Sequence, residues 1–158
     1  GVSAHFLISR DGTTYQLVRS NMKAFHAGVS TYYGRENVNN FSIGIEHENW
    51  GRLSKDGLSY TGKKVENIYK APDGSLWEAY SKEQLLESYM LCYRLIHELK
   101  IKDIVRHRDI APGRKEDVGP AFPFSYFSEL PSITLPLIDK LNNSNFLQNL
   151  SIYKISTT

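Results

Sequence analysis

The chain has one cysteine in 158 residues, Cys92, so no internal disulfide can form and cysteine usage says nothing of the compartment. No apolar run approaches the ~18 residues of a membrane span, and no secretory signal is visible. Charge of one sign is lacking too. Nineteen Lys+Arg against 17 Asp+Glu leave +2 at pH 7, with no basic stripe to track a phosphate backbone, so nucleic acid is not an expected partner. Internal repeats and low-complexity runs are absent. What remains, 41% hydrophobic and 23% charged residues, excludes a disordered or collagen-like chain and fits one domain around one core.

Residues 3–9 are apolar and β-prone, Arg10-Asp11-Gly12 is a turn signal, and residues 13–18 alternate, which together predict a β-hairpin. Residues 19–40 lack periodicity and predict a long loop, which in a compact domain is usually functional. The near-continuous apolar run 41–46 predicts a central strand, and Gly44 within it marks a close approach by another group. Residues 49–80, rich in glycine, read as an irregular insertion whose aromatics (Trp50, Tyr60, Tyr69, Trp77, Tyr80) either pin it to the body or line a groove. Ser81 to Gln84 has the form of a capping box, with Ser81 as N-cap and Gln84 reaching back. Leu85, Tyr89, Cys92, Ile96 and Leu99 then make one apolar helix face as far as Lys100, with Cys92 a packing residue and His97 off the stripe. A short strand is expected over 103–107, a short helix over 124–130, and an appendage over 131–158. The opening Gly1-Val2 runs straight into a strand pattern and reads as a trimmed start.

The stretch from His107 to Pro120 carries the most chemistry. His107 and Asp117 come together if the loop between them folds back, and both residue types ligate zinc. Lys115 would then place a cation beside a metal-bound water, while Pro112, Gly113, Gly119 and Pro120 fix the loop. The competing reading is an ordinary solvated loop. Glu46, after Ile43-Gly44-Ile45, would be partly desolvated, which raises a carboxyl toward the range useful to a general base. A solvated strand-end glutamate is the alternative, and Glu48 could serve as well. His26 could orient a polar substrate or tie its loop to itself. His5 reads as a satisfied core histidine, and His47 should face the other side of the sheet from Glu46.

Four segments in order, residues 2–8, 24–30, 41–46 and 107–122, resemble the zinc-dependent N-acetylmuramoyl-L-alanine amidases of the AmpD/AmiD type, relatives of phage T7 lysozyme and the peptidoglycan recognition proteins. The resemblance covers about residues 2–127 apart from the insertion. It implies an α/β fold with a mixed central β-sheet flanked by α-helices, an amidase domain over 1–130, and a C-terminal extension over 131–158. It implies zinc as cofactor, with His107 and Asp117 as ligands and Glu46 and Lys115 as catalytic residues. His26, Asn39 and Asn40 fall in the segment that lines the family's groove. The family's first zinc ligand, a histidine on an upstream strand, has no counterpart here and is expected before Gly1. Ala4 stands where some relatives have a catalytic tyrosine. The implied substrate is peptidoglycan or anhydro-muropeptides, with a peptidoglycan-binding module as the non-catalytic alternative. Residues 44–51 and the insertion look closer to the envelope AmiD branch than to cytosolic AmpD, so the periplasm is favoured over the cytoplasm.

Overall fold

A computed structural model describes residues 1–132. The expected C-terminal appendage, apart from its first two residues, lies outside the described residues. Along the chain come β1 (Phe6–Ile8), β2 (Thr14–Gln16), a small hairpin of β3 (Thr31–Tyr32) and β4 (Arg35–Glu36), and β5 (Ile45–His47). Then follow β6 (Arg52–Leu53), β7 (Ile68–Lys70) and β8 (Leu76–Glu78), and the helices α1 (Lys82–Leu99), α2 (His107–Ile110) and α3 (Phe124–Ser128).

The main sheet has the order β2-β1-β5 and is mixed. β1 runs antiparallel to β2 and parallel to β5, with Leu7 opposite both Tyr15 and Glu46. The predicted hairpin is present, and Gly12, at φ +84°, supplies its turn. The strand expected over 41–46 starts later, at Ile45. Before it the backbone spends its hydrogen bonds elsewhere: Gly44 N–H donates to His5 Nδ1 at 3.0 Å. Among the described residues β5 pairs only with β1, so it lies at the edge of this sheet where a central strand is expected, and β1 takes the middle position.

Helix α1 packs on one face of this sheet. Leu91 and Leu95 meet Phe6 and Ile8, while Leu85, Tyr89, Cys92 and Ile96 join Phe122, Phe127 and Leu130 in a second cluster. The apolar face is therefore wider than the single predicted stripe, and Leu99, assigned to it, is 41% exposed. Ser81 caps the helix by accepting from Gln84 N–H at 3.0 Å. Gln84 does not reach back as a capping box requires. Its buried amide donates instead to the carbonyls of Ile8 (3.0 Å) and Glu48 (3.2 Å), tying the ends of β1 and β5 to the helix.

Two further expectations fail. Residues 103–106 form no strand, and His107 opens α2. Arg106 N–H donates to Asp109 Oδ2 at 2.9 Å, a local bond that nucleates a helical turn where apolar residues alone read as extended. The 49–80 insertion is not irregular either: β6, β8 and β7 pair in that order as an antiparallel sheet. It is fastened to the β1–β2 turn through buried Glu78, which accepts from Arg10 Nε at 2.8 Å and from Trp50 N–H.

Candidate active site

Side chains of β5 alternate across the sheet. His47 turns toward α1, where its Nε2 lies 2.6 Å from Ser88 Oγ, and Ser88 in turn donates to the Gln84 carbonyl. With that hydroxyl hydrogen committed, His47 Nε2 is the donor. Glu46 turns to the opposite side, toward the 107–117 loop. Desolvation raises its pKa above the ordinary carboxyl value, the Asp117 charge raises it further, and His107 and Lys115 pull it back. Three groups of the 107–117 loop therefore act on Glu46 through their charge: His107, Lys115 and Asp117.

The loop does fold back. Arg108 N–H donates to the Asp117 carbonyl at 2.8 Å, which closes the ten-residue excursion and brings His107 Nδ1 to 2.8 Å from Asp117 Oδ2. The other ring nitrogen, Nε2, sits 3.1 Å from the Ala27 carbonyl. A carbonyl can only accept, so Nε2 carries hydrogen, and Nδ1 is left facing the carboxylate with either a proton or a cation between them. The Ala27 carbonyl also accepts from Arg114 Nη2 at 2.7 Å, and the same nitrogen reaches the Val29 carbonyl at 2.8 Å.

His26 lies over Gly44 so closely that a Cβ there would come within 2.3 Å of the imidazole. That is the close approach the glycine predicted. The ring packs edge-on to His5 at 5.6 Å, and its Nε2 is 3.4 Å from Ser42 Oγ. Burial, with the charges of His5 and His107 adding to it, pushes its pKa down to about 4, so it is neutral at physiological pH. His5 is the satisfied core histidine expected, accepting from Gly44 N–H and bonding the Met22 carbonyl at 3.0 Å.

Asn39 and Asn40 lie behind the turn that carries His26 and Ala27. They border an open cavity of about 410 Å³ that also touches Met22, Lys23 and Ile101. The amide oxygen of Asn39 accepts from both His26 N–H (3.0 Å) and Ala27 N–H (2.8 Å), so it holds the turn that carries the His26 ring and the Ala27 carbonyl. Sequence reasoning missed that role, and it missed Arg114, because bonds aimed at the backbone leave no pattern in residue type. Of the insertion's aromatics, Trp77 and Tyr80 pin it to the body: Tyr80 packs against His47 and Phe122, and Trp77 against Gly119. Tyr60 stays 84% exposed, edge-on to Trp50.

A family model described as N-acetylmuramoyl-L-alanine amidase matches residues 1–120. The chain belongs to that amidase family. It is 41% identical over 131 residues to the 1,6-anhydro-N-acetylmuramyl-L-alanine amidase AmpD of Escherichia coli (strain K12), covering 83% of this chain and 59% of that protein. To the N-acetylmuramoyl-L-alanine amidase AmiD of the same strain it is 31% identical over 137 residues, covering 81% of this chain and 44% of AmiD. The chain thus spans about three fifths of the AmpD length or less. The crystal structure of a selenomethionyl AmpD derivative superposes with a TM-score of 0.59 at 37% identity, covering 82% of this chain and 59% of its own. A complex of Escherichia coli AmiD with anhydro-N-acetylmuramic acid-L-Ala-D-gamma-Glu-L-Lys gives 0.62 at 24% identity, covering 99% of this chain and 64% of its own, a likeness of fold alone. The mixed sheet flanked by helices is the fold of these amidases. Sequence identity is higher to AmpD than to AmiD, the reverse of the branch that residues 44–51 and the insertion suggest.

Proposed function

We propose that this chain carries the hydrolytic site of a zinc-dependent N-acetylmuramoyl-L-alanine amidase, cutting the amide between the lactyl group of N-acetylmuramic acid and L-alanine in peptidoglycan or anhydro-muropeptides. The observation that supports it is the convergence of His107 Nδ1 and Asp117 Oδ2 at 2.8 Å, with the hydrogen of that ring fixed on Nε2. An imidazole nitrogen and a carboxylate oxygen so placed fit two of the three protein ligands of a catalytic zinc. Among the described residues no group of three His, Cys, Asp or Glu side chains converges, and in this reading the third ligand is the upstream histidine implied by the family resemblance. Zinc, when bound there, supplies a water that ionises near neutral pH and polarises the scissile carbonyl.

The chain's own residues do the rest. Glu46, exposed at the mouth of the site with its pKa raised by local desolvation and by the Asp117 charge, takes the proton of the attacking water and returns it to the departing alanine nitrogen. Lys115 stabilises the oxyanion as the carbonyl becomes tetrahedral, a task for which one donor is typically worth about 2.7–4 kcal/mol of barrier. His26, neutral over Gly44, and the Asn39-Asn40 segment orient the substrate. A periplasmic location belongs to the same reading and rests on the resemblance of residues 44–51 and the insertion alone.

The test is Glu46→Gln in the full natural protein, loaded with zinc and given an anhydro-muropeptide. Turnover should fall about 10²–10⁴-fold, the usual contribution of a general acid–base, with zinc stoichiometry and substrate binding retained. Turnover near wild type would remove Glu46 from the mechanism. Wild-type protein that holds zinc and binds the muropeptide without cutting it would favour the binding-module alternative.

A further inference from the structure

The insertion touches the 112–121 loop on both sides of Asp117. Trp77, in β8, is 7% exposed, and its ring lies where a Cβ on Gly119 would come within 2.2 Å of it. Only a glycine permits that contact. Ala71 and Ala121 complete the pocket around the indole. The ring itself is locked: Trp77 Nε1 donates to Ser75 Oγ at 2.8 Å, and Ser75 donates to Asp73 Oδ1 at 2.6 Å. One residue before Asp117, Glu116 accepts from Arg52 of β6 at 3.4 Å, and the Arg52 guanidinium stands 6.0 Å from the centre of the indole ring. The ion pair is exposed, and pairs of that kind contribute little. The indole packed on the loop backbone is therefore the principal contact.

We propose that Trp77 is a positioning residue for the loop that carries Lys115 and Asp117, clamping it through Gly119 from the β6-β8-β7 sheet. The sheet can serve as an anvil because it is fixed from behind. Glu78, next to Trp77 on β8 and pointing the other way, is buried and bound to Arg10 on the β1–β2 turn. The loop's other restraints lie mostly before Gly119: Arg114 and Lys115 N–H groups share the Ala111 carbonyl, the Arg114 side chain donates to the Ala27 and Val29 carbonyls, and Asp117 is tied by its carbonyl to Arg108 and by its carboxylate to His107. Asp117 is held to His107 and Val118 packs on the cluster beside α1, so Trp77 is what fixes the following residue, Gly119, from the side of the insertion. A ligand or catalytic group misplaced by ~1 Å can cost about 10²-fold in rate, so a clamp two residues from Asp117 acts directly on the chemistry. The inference rests on the amidase reading for its catalytic consequence, and on packing alone for the clamp.

The experiment compares wild type, Trp77→Phe, Trp77→Ala and Gly119→Ala in the full natural protein by three measurements. Amide hydrogen exchange is followed without metal, zinc affinity by chelator competition, and kcat and KM on an anhydro-muropeptide. For Trp77→Ala, exchange should quicken in residues 112–121 while α1 keeps its protection. Zinc affinity and kcat should each fall about 10–100-fold, with KM little changed. Trp77→Phe should recover most of the loss, and Gly119→Ala should loosen the same loop from the other side of the contact. Loop exchange equal to wild type in Trp77→Ala would overturn the clamp. So would exchange that rises equally in α1 and in the loop, with Trp77→Phe no better than Trp77→Ala, because that pattern means general loss of packing. If wild type binds zinc and hydrolyses nothing, the amidase reading fails, and the exchange and zinc measurements still decide the clamp.

Discussion

The Ala27 carbonyl serves two donors, His107 Nε2 and Arg114 Nη2, and it can do so only because the turn behind it is held by Asn39. Asn39→Ala would leave the His26 and Ala27 N–H groups without their acceptor, at a cost of about 1–3 kcal/mol in stability for an unsatisfied buried donor. Asn39→Asp keeps an acceptor oxygen in place and should lose much less. Urea melts of the two variants check this; equal losses would show that the two bonds do not hold the turn. Residue by residue, what was legible in the sequence was chemistry carried by residue type. The pairing of His107 with Asp117 could be anticipated because Pro112 and Gly113 bend the intervening chain, and Glu46 because it follows an apolar run. Asn39 could not be recognised as a backbone clip. Its partners are main-chain N–H groups, which every residue but proline possesses.

At the scale of elements, α1 was the most legible feature because it announces itself twice, through Ser81 at its start and through its buried face. Leu85 sits where that face meets Phe122 and Phe127 and is 1% exposed. Leu85→Ala removes a fully buried side chain from a packed cluster and should cost about 2–5 kcal/mol, read as a lower denaturation midpoint at unchanged slope. A loss below about 1 kcal/mol would mean that the α1–α3 cluster is not the stabilising core. The failures among elements share a cause. Residues 103–107 look like a strand by composition, yet the Arg106–Asp109 bond, a matter of three residues, turns the chain into α2 at His107. That turn sets the direction from which the imidazole enters the site. The insertion looked irregular because its strands are two or three residues long, too short for an alternating pattern to register, and because β6 pairs with β8, a segment distant in sequence.

At the scale of the whole molecule, stability should depend on pH through a histidine that has no part in the proposed chemistry. His47, wedged between the sheet and α1, is held neutral by burial with its pKa pushed down to about 4, from an ordinary value of 6.5. Between those limits the unfolded chain takes up a proton that the folded chain excludes. The stabilisation is therefore full above about pH 6.5, and it is lost as pH falls toward 4, by roughly 3 kcal/mol across the window for a shift of this size. Glu46 works in the opposite sense. Its raised pKa keeps a proton on the folded state that the unfolded state has released, so its own contribution improves as pH falls. The two can be separated by substitution. His47→Gln, which can still donate to Ser88, should flatten the fall in stability between pH 6.5 and 4, whereas Glu46→Gln should steepen it. Urea melts of wild type and both variants across that range give the slopes. If His47→Gln leaves the wild-type slope intact, the acid sensitivity arises elsewhere, and the packing of α1 against β5 is not where the molecule registers pH.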